Sequence, residues 1–296
     1  MTFGIIGNTA KPATNDVTKR LIAYLSKKNL SFVFHEDFAK SLQASNVLPS
    51  KLKLVSASEA DLAKKCDFII ALGGDGTMLA AARLVGEQEI PILGINLGKL
   101  GFLAEVSVEE MQQYIDEILD GNYLVEERMV LQATDGKDTK KYYGLNEIVV
   151  DKGASPRMMD LETYVNNDYL VTYAADGMMA ATPTGSTGYS LASGGPLVAP
   201  QSSVIIITPM APHTLTARPI IVPDTCTIKV KVKVAPKPVH ITADGQVEGF
   251  YEAPTEFEIS KADYKIKLVK KNKHTFYDLL RTKLMWGRDV RLGPRK

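Results

Sequence analysis

Cysteine is scarce in this chain: 296 residues hold two, Cys66 and Cys226, far apart and each in an apolar, strand-like run. That excludes a disulfide framework and offers no zinc-ligand spacing, so both read as small buried hydrophobes in a reducing compartment. Net charge is almost absent too, at +1 from 35 basic and 34 acidic residues. No global field therefore draws the chain to nucleic acid or to a membrane. No apolar stretch approaches the ~18 residues needed to span a bilayer. The start, Met1-Thr2-Phe3-Gly4-Ile5-Ile6-Gly7-Asn8, reads as a strand and lacks the basic and apolar regions of a secretory signal. The expectation is a soluble cytoplasmic protein with no nucleic-acid or membrane partner. Basic residues gathered late in the chain (Lys270, Lys271, Lys273, Arg288, Arg291, Arg295, Lys296) read as a solvated face or tail.

What is present falls into two regimes, without internal repeats. The first third alternates strand and helix: strands over 3–7, 30–35, 68–72 and 90–96, helices over 15–28, 57–65, 78–85 and 108–119. Such alternation predicts a mostly parallel, Rossmann-like sheet covered on both faces. Near Glu126 the helical period fades into short β-rich runs, punctuated by the turn signals Asn166-Asn167-Asp168, Asp176-Gly177, Pro223-Asp224 and Asp244-Gly245. The expected organisation is an α/β domain over 1–125, an all-β sandwich-like domain over 126–268, and a segment over 269–296 that packs back on the first domain. That last segment carries a helix over 275–286, with Trp286 as a packing residue.

Three clusters carry chemistry. Gly73-Gly74-Asp75-Gly76-Thr77 follows the buried strand Phe68 to Leu72 and precedes the helical Met78 to Val85. Glycines at such a turn permit φ > 0 and close backbone approach, and the next helix N-terminus suits phosphate. A carboxylate beside phosphates repels them, so Asp75 reads as a proton acceptor or a metal contact and not as an affinity residue. The second cluster, Thr182-Pro183-Thr184-Gly185-Ser186-Thr187-Gly188-Tyr189-Ser190, is a hydroxyl-rich loop with one aromatic able to border a flat ring. The third is Asn146-Glu147, inside the strand-like Leu145 to Val150, an amide and a carboxylate that suit the paired hydroxyls of a ribose.

In this order and spacing the motifs resemble the NAD kinase family over roughly the whole chain. Pro212-His213-Thr214-Leu215, Arg218-Pro219 and Asp244-Gly245-Gln246 extend the likeness. Diacylglycerol and sphingosine kinases share the GGDGT run and lack the TPTGST loop. The resemblance implies transfer of the ATP γ-phosphoryl to the 2′-hydroxyl of the adenosine ribose of NAD, by a homodimer or homotetramer. It implies Asp75 as proton acceptor, Gly76 near the dinucleotide phosphates, and Gly73, Gly74 and Thr77 in the phosphate loop. Asn146, Glu147 and Asp176 become hydroxyl and nicotinamide-side contacts. Thr187 and Tyr189 become the adenine-side wall, Gly188 and Ser190 further NAD-binding residues of the same loop, and Arg157 and Gln246 match looser binding positions. Mg²⁺ or another divalent metal is expected to arrive with ATP, since the chain shows no dedicated carboxylate cage. Ala174 stands where many members carry a basic residue, and Ala192-Ser193 where many read Ser-Ala. A lipid kinase would favour a membrane-facing surface that nothing here marks. A non-catalytic NAD(P)-binding regulator would gain nothing from Asp75.

Overall fold

The computed structural model describes residues 1–45, 55–98, 101–136, 140–235, 237–271 and 275–287. Lys273, His274, Arg288, Arg291, Arg295 and Lys296 lie outside them. The chain forms two compact units, residues 1–126 with 267–296 and residues 127–266. No helix of the described residues is long and apolar enough to cross a membrane.

The first unit runs β1 (Thr2–Gly7), α1 (Ala13–Lys27), β2 (Ser31–His35), α2 (Glu36–Ala44), β3 (Ser56–Ala57), α3 (Glu59–Leu62), β4 (Phe68–Gly73), α4 (Asp75–Val85), β5 (Ile92–Asn96), β6 (Val106–Ser107) and α5 (Met111–Leu119). Its strands lie in the order β6-β5-β4-β1-β2-β3, each parallel to its neighbours. Buried on both faces, β4 is unbroken apolar sequence up to Gly73. Val17, Leu21, Ile22 and Leu25 of α1 share one buried stripe with Phe3, Ile5 and Leu72 of the sheet. From β1 the chain builds β2 and β3 to one side, and β4, β5 and β6 to the other. The order therefore reverses between β1 and β4, and a parallel sheet binds ligands outside the carboxyl ends of its strands at such a point.

The second unit is antiparallel in its pairings. Its strands are β7 (Leu124–Asp135), β8 (Lys141–Gly144), β9 (Glu147–Asp151), β10 (Met159–Val165), β11 (Asp168–Ala175), β12 (Gly177–Ala181), β13 (Val204–Met210), β14 (Ile220–Pro223), β15 (Ile228–Val232), β16 (Val239–Ala243), β17 (Val247–Tyr251) and β18 (Thr255–Lys270), with the short helix α6 (Tyr189–Ala192) between β12 and β13. One sheet has the order β14-β13-β12-β9-β16-β17. The other joins β11, β10, β15 and β18, with β7 on β18 and β8 on β7. Ile148 and Val150 of β9, Met178 and Ala180 of β12, and Val230 and Phe257 of the facing sheet share the core between them. The period of two sends Val149, Met179, Ala181 and Ile206 to the opposite face, where Val198 covers them. Last in the chain, and part of the first unit, comes α7 (Phe276–Lys283), begun by a capping box in which Thr275 and Asp278 satisfy each other. Hydrogen bonds from Thr275 hold the Asp278 carboxyl down at about 2.

Several expectations change. α2 was not anticipated, because it follows β2 with no turn residue between them. The helix expected over 57–65 resolves into β3, α3 and a 3₁₀ turn. Asn146 does not lie inside a strand: β8 stops at Gly144 and β9 starts at Glu147. Trp286 is no packing residue, being 57% exposed beyond the end of α7. Both cysteines are buried and unpaired, and burial pushes the Cys66 thiol up to about 11.

Candidate active site

In the first unit β4 passes directly into α4, whose first residue is Asp75 with Gly74 as its cap. The helix thus starts three residues earlier than the apolar pattern suggested. Nor do the glycines serve φ > 0, since Gly74 has φ −127°. They supply space. A Cβ on Gly73 would strike the Thr77 hydroxyl, and Gly76 is exposed with nothing within 4 Å of a built Cβ.

Asp75 turns back to the segment after β5. Its Oδ1 accepts the N–H groups of Leu103 (3.0 Å) and Ala104 (3.3 Å), and its Oδ2 that of Phe102 (2.9 Å). Gly101 admits this contact, because a Cβ there would collide with Oδ1. Lys283 of α7 lies 3.9 Å from Oδ2 and 4.9 Å over the Phe102 ring. A carboxylate oxygen has two lone-pair directions. Two N–H groups fill those of Oδ1, so Oδ2 keeps acceptor capacity. Asp75, with Asn8, Lys11, Gly74, Gly76 and Thr77, lines a cavity of about 480 Å³ outside the ends of β1 and β4. That is the topological switch point.

In the second unit Asp244 organises the Asn146-Glu147 pair. Asp244 (φ 53°) and Gly245 (φ 62°), both in left-handed backbone, are the central residues of a turn closed by the Gln246 N–H on the Ala243 carbonyl (3.0 Å), within the three-residue connection between β16 and β17. The Asp244 carboxylate then accepts the N–H groups of Leu145 (2.8 Å), Asn146 (2.7 Å) and Glu147 (3.1 Å). From the other side, Thr182 donates its N–H to the Asn146 carbonyl (2.8 Å) and its hydroxyl to that of Leu145 (2.6 Å). Gly185 packs so closely that a Cβ would strike the Asn146 carbonyl. Gly188 is exposed, and a Cβ built there would lie 3.7 Å from both Asn146 Nδ2 and Glu147 Oε2.

Glu147 is 7% exposed, and its Oε2 is buried without a hydrogen-bond partner. Burial first, and the Asp244 charge second, push its carboxyl up to about 8. Tyr189 is 47% exposed at the start of α6. Its phenol is raised by burial, then by Asp151, Glu147 and Asp176, so these groups share one neighbourhood. Asp176 pairs with Lys152 at 2.9 Å.

The structure thus gathers Asn146, Glu147, Gly188, Tyr189 and Asp176. The other hydroxyls of the loop are internal: that of Ser186 donates to the Val198 carbonyl and accepts the Val198 N–H, that of Ser190 bonds the Thr208 hydroxyl, and that of Thr187 donates to the Thr184 carbonyl. Arg157 and Gln246 are exposed on separate loops. Sequence reasoning missed Lys11, Gly101 and Lys283. It named Asp244 as a turn residue and as part of the Asp244-Gly245-Gln246 run of the family likeness, and gave it no role at the site.

Residues 3–123 match the profile of the ATP-NAD kinase N-terminal domain, and residues 145–271 that of the ATP-NAD kinase C-terminal domain. An NAD kinase of Bacteroides fragilis is 43% identical over 295 residues, covering 99% of this chain and all of that one. One of Geotalea daltonii is 38% identical over 288 residues, 96% of this chain and 98% of the relative. The crystal structure of yeast NADH kinase complexed with NADH superposes with a TM-score of 0.90 at 26% identity, over 99% of this chain and 90% of that one. The NAD kinase of Archaeoglobus fulgidus in complex with ATP gives 0.72 at 25% identity, over 92% and 95%. With both domain profiles in order and relatives matched over nearly their full length, the chain belongs to the NAD kinase family and is a kinase that phosphorylates NAD.

Proposed function

We propose that the chain transfers the γ-phosphoryl of ATP to the 2′-hydroxyl of the adenosine ribose of NAD, giving NADP, with Asp75 taking the hydroxyl proton. The observation that carries this reading is the acceptor capacity left on Asp75 Oδ2 by a loop that fixes the rest of the carboxylate. A ribose hydroxyl is a poor nucleophile, and a positioned base is worth roughly 10²–10⁴ in rate. The remaining work is positioning and neutralising phosphate charge. Among the described residues no three His, Cys, Asp or Glu side chains gather into a cage for a metal ion. In this reading Mg²⁺, or another divalent ion, enters held by the ATP phosphates as part of the substrate. Gly73, Gly74 and Thr77 shape the phosphate loop. Asn146 and Glu147 take ribose hydroxyls, Asp176 the nicotinamide side, and Thr187, Gly188 and Tyr189 the adenine side over the buried Ser190. Arg157 and Gln246 contact the dinucleotide from the periphery. The same reading takes the enzyme to be a cytoplasmic homodimer or homotetramer. The deciding assay follows NADP formation with ATP, with polyphosphate and with no donor in parallel. Formation dependent on donor supports the reading, and none with either donor overturns it.

Gly76→Ala separates fold from ligand contact. The methyl meets nothing within 4 Å, and Ala in a helical position typically adds about 0.4–1 kcal/mol of stability. If phosphate approaches the backbone there, the KM for NAD rises about tenfold, equivalent to ~1.4 kcal/mol. Steady-state kinetics beside a thermal melt check both halves, and an unchanged KM removes Gly76 from the site.

Tyr189→Ala should weaken NAD and NADP alike by about 1–3 kcal/mol, the range for a base stacked on an aromatic ring. Tyr189→Phe keeps most of that affinity if the ring face makes the contact. Calorimetric titration well below the melting transition measures both. A variant with lowered melting temperature and unaltered affinity would make Tyr189 a packing residue.

A further inference from the structure

We propose that Lys11 is the protein's phosphate-binding cation for the donor, holding the polyphosphate chain in the cavity at the switch point; the proposal rests on the kinase reading above. The backbone around Lys11 is fixed from both sides. The Asn8 N–H donates to the Leu72 carbonyl (2.9 Å), tying the end of β1 to that of β4. The Asn8 side chain accepts the Ala10 N–H (3.0 Å), and the Asn8 carbonyl accepts the Lys11 N–H (3.3 Å) and the Thr14 hydroxyl (2.5 Å). Thr14, fully buried, donates its own N–H to the Lys11 carbonyl (3.0 Å). Pro12 then leads into α1.

This clamp sends the half-buried Lys11 side chain over the glycine turn. Its Nζ would lie 3.4 Å from a Cβ on Gly74 and 3.9 Å from one on Gly98, residues that follow β4 and β5. Both lack a side chain, so the amine is open to the cavity it lines with Asp75, Gly76 and Thr77. Among the described residues no carboxylate pairs with that amine. Lys283, the other amine beside Asp75, has an acid partner already. A partly desolvated cation without an acid is costly unless an anion completes it. The ammonium is a compact charge that suits phosphate oxygens.

The donor is the better fit than the dinucleotide for two reasons. A triphosphate brings more charge than a pyrophosphate, and charge shifts along it during transfer, where a fixed cation stabilises the transition state. The transferred phosphoryl must also reach the hydroxyl that Asp75 deprotonates, and Lys11 and Asp75 line one cavity.

The test is Lys11→Met in the full-length enzyme, with kinetics for ATP and NAD varied separately and inorganic tripolyphosphate titrated as an inhibitor competitive with ATP. The expected result is a KM for ATP raised about 10- to 100-fold, as for loss of a hydrogen bond to a charged group. The inhibition constant of tripolyphosphate should weaken by a similar factor, and the KM for NAD should stay unchanged. Lys11→Arg, which keeps the charge, should retain most of the ATP affinity, and a thermal melt of each variant reports the fold. An unchanged KM for ATP, a KM shift on NAD instead, or a tripolyphosphate constant that does not move would each overturn the assignment. A wild-type enzyme that forms no NADP would instead overturn the kinase reading itself.

Discussion

Asp75→Asn is expected to lower kcat by about 10²–10⁴-fold while leaving the affinity for NAD unchanged or slightly higher. An amide has the shape of the carboxylate but cannot accept the ribose proton. It also removes a negative charge from a cavity meant for phosphates. The structure adds a cost that sequence alone did not suggest. Asp75 accepts three backbone N–H groups from Phe102, Leu103 and Ala104, using both oxygens. In Asn one of those oxygens becomes an NH₂ group, so at least one backbone donor loses its acceptor. These hydrogen bonds are partly buried, so the lost acceptor costs at most the roughly 1–3 kcal/mol of a fully buried unsatisfied donor. The variant should therefore melt earlier as well as turn over slowly, and rates belong well below its transition. Calorimetric titration with NAD separates the effects: full binding with near-zero turnover is the signature of a lost base. A variant with near wild-type kcat would remove Asp75 from that role.

The contrast between Asp75 and its supports explains how much of the site was legible in the sequence. The strand, glycine turn and helix around Asp75 are local, and each residue's neighbours in sequence are also its neighbours in space. The alternation that implied a parallel sheet is equally local, as is the Asp244-Gly245 turn signal. What the turn does is not. Asp244 reaches Leu145, Asn146 and Glu147 across about a hundred residues, because β16 pairs with β9. Gly101 is required by the Asp75 carboxylate, and Lys283 by its charge, yet neither has a pattern that announces it. The hydroxyl-rich loop was misleading in detail for the same reason. Several of its donors satisfy the loop's own backbone and neighbouring strands, leaving Gly188 and Tyr189 at the surface. The glycines of the Asp75 turn were read for conformational freedom, and the packing of Thr77 shows that room for a side chain is what Gly73 provides.

Glu147→Gln is expected to make the unliganded protein more stable at alkaline pH, an unusual outcome for a substitution in a binding site. In the folded chain burial, and then Asp244, push the Glu147 carboxyl up to about 8 from 4.5, the reference for an exposed chain. Between those values the folded state holds a proton that the unfolded state has released. Stability contributed by that proton is fully present below about pH 4.5 and is lost as pH rises toward 8. The slope is about 1.4 kcal/mol per pH unit across the window. Glutamine carries no ionisable proton, so the variant should gain on the wild type by that slope, measured by denaturant unfolding at intervals from pH 5 to pH 9. Parallel curves would show that Glu147 ionises freely in the folded protein. The benefit in stability comes with a loss in recognition. Ribose hydroxyls donating to Glu147 supply the partners that Oε2 lacks, and they favour its charged form. Wild-type affinity for NAD should therefore climb with pH up to about 8. The variant, short of a hydrogen bond to a charged group worth about 1.5–3 kcal/mol, should bind more weakly by at least several-fold and without that climb. If only the KM for ATP moves, the Asn146-Glu147 pair serves the donor and not the ribose of NAD.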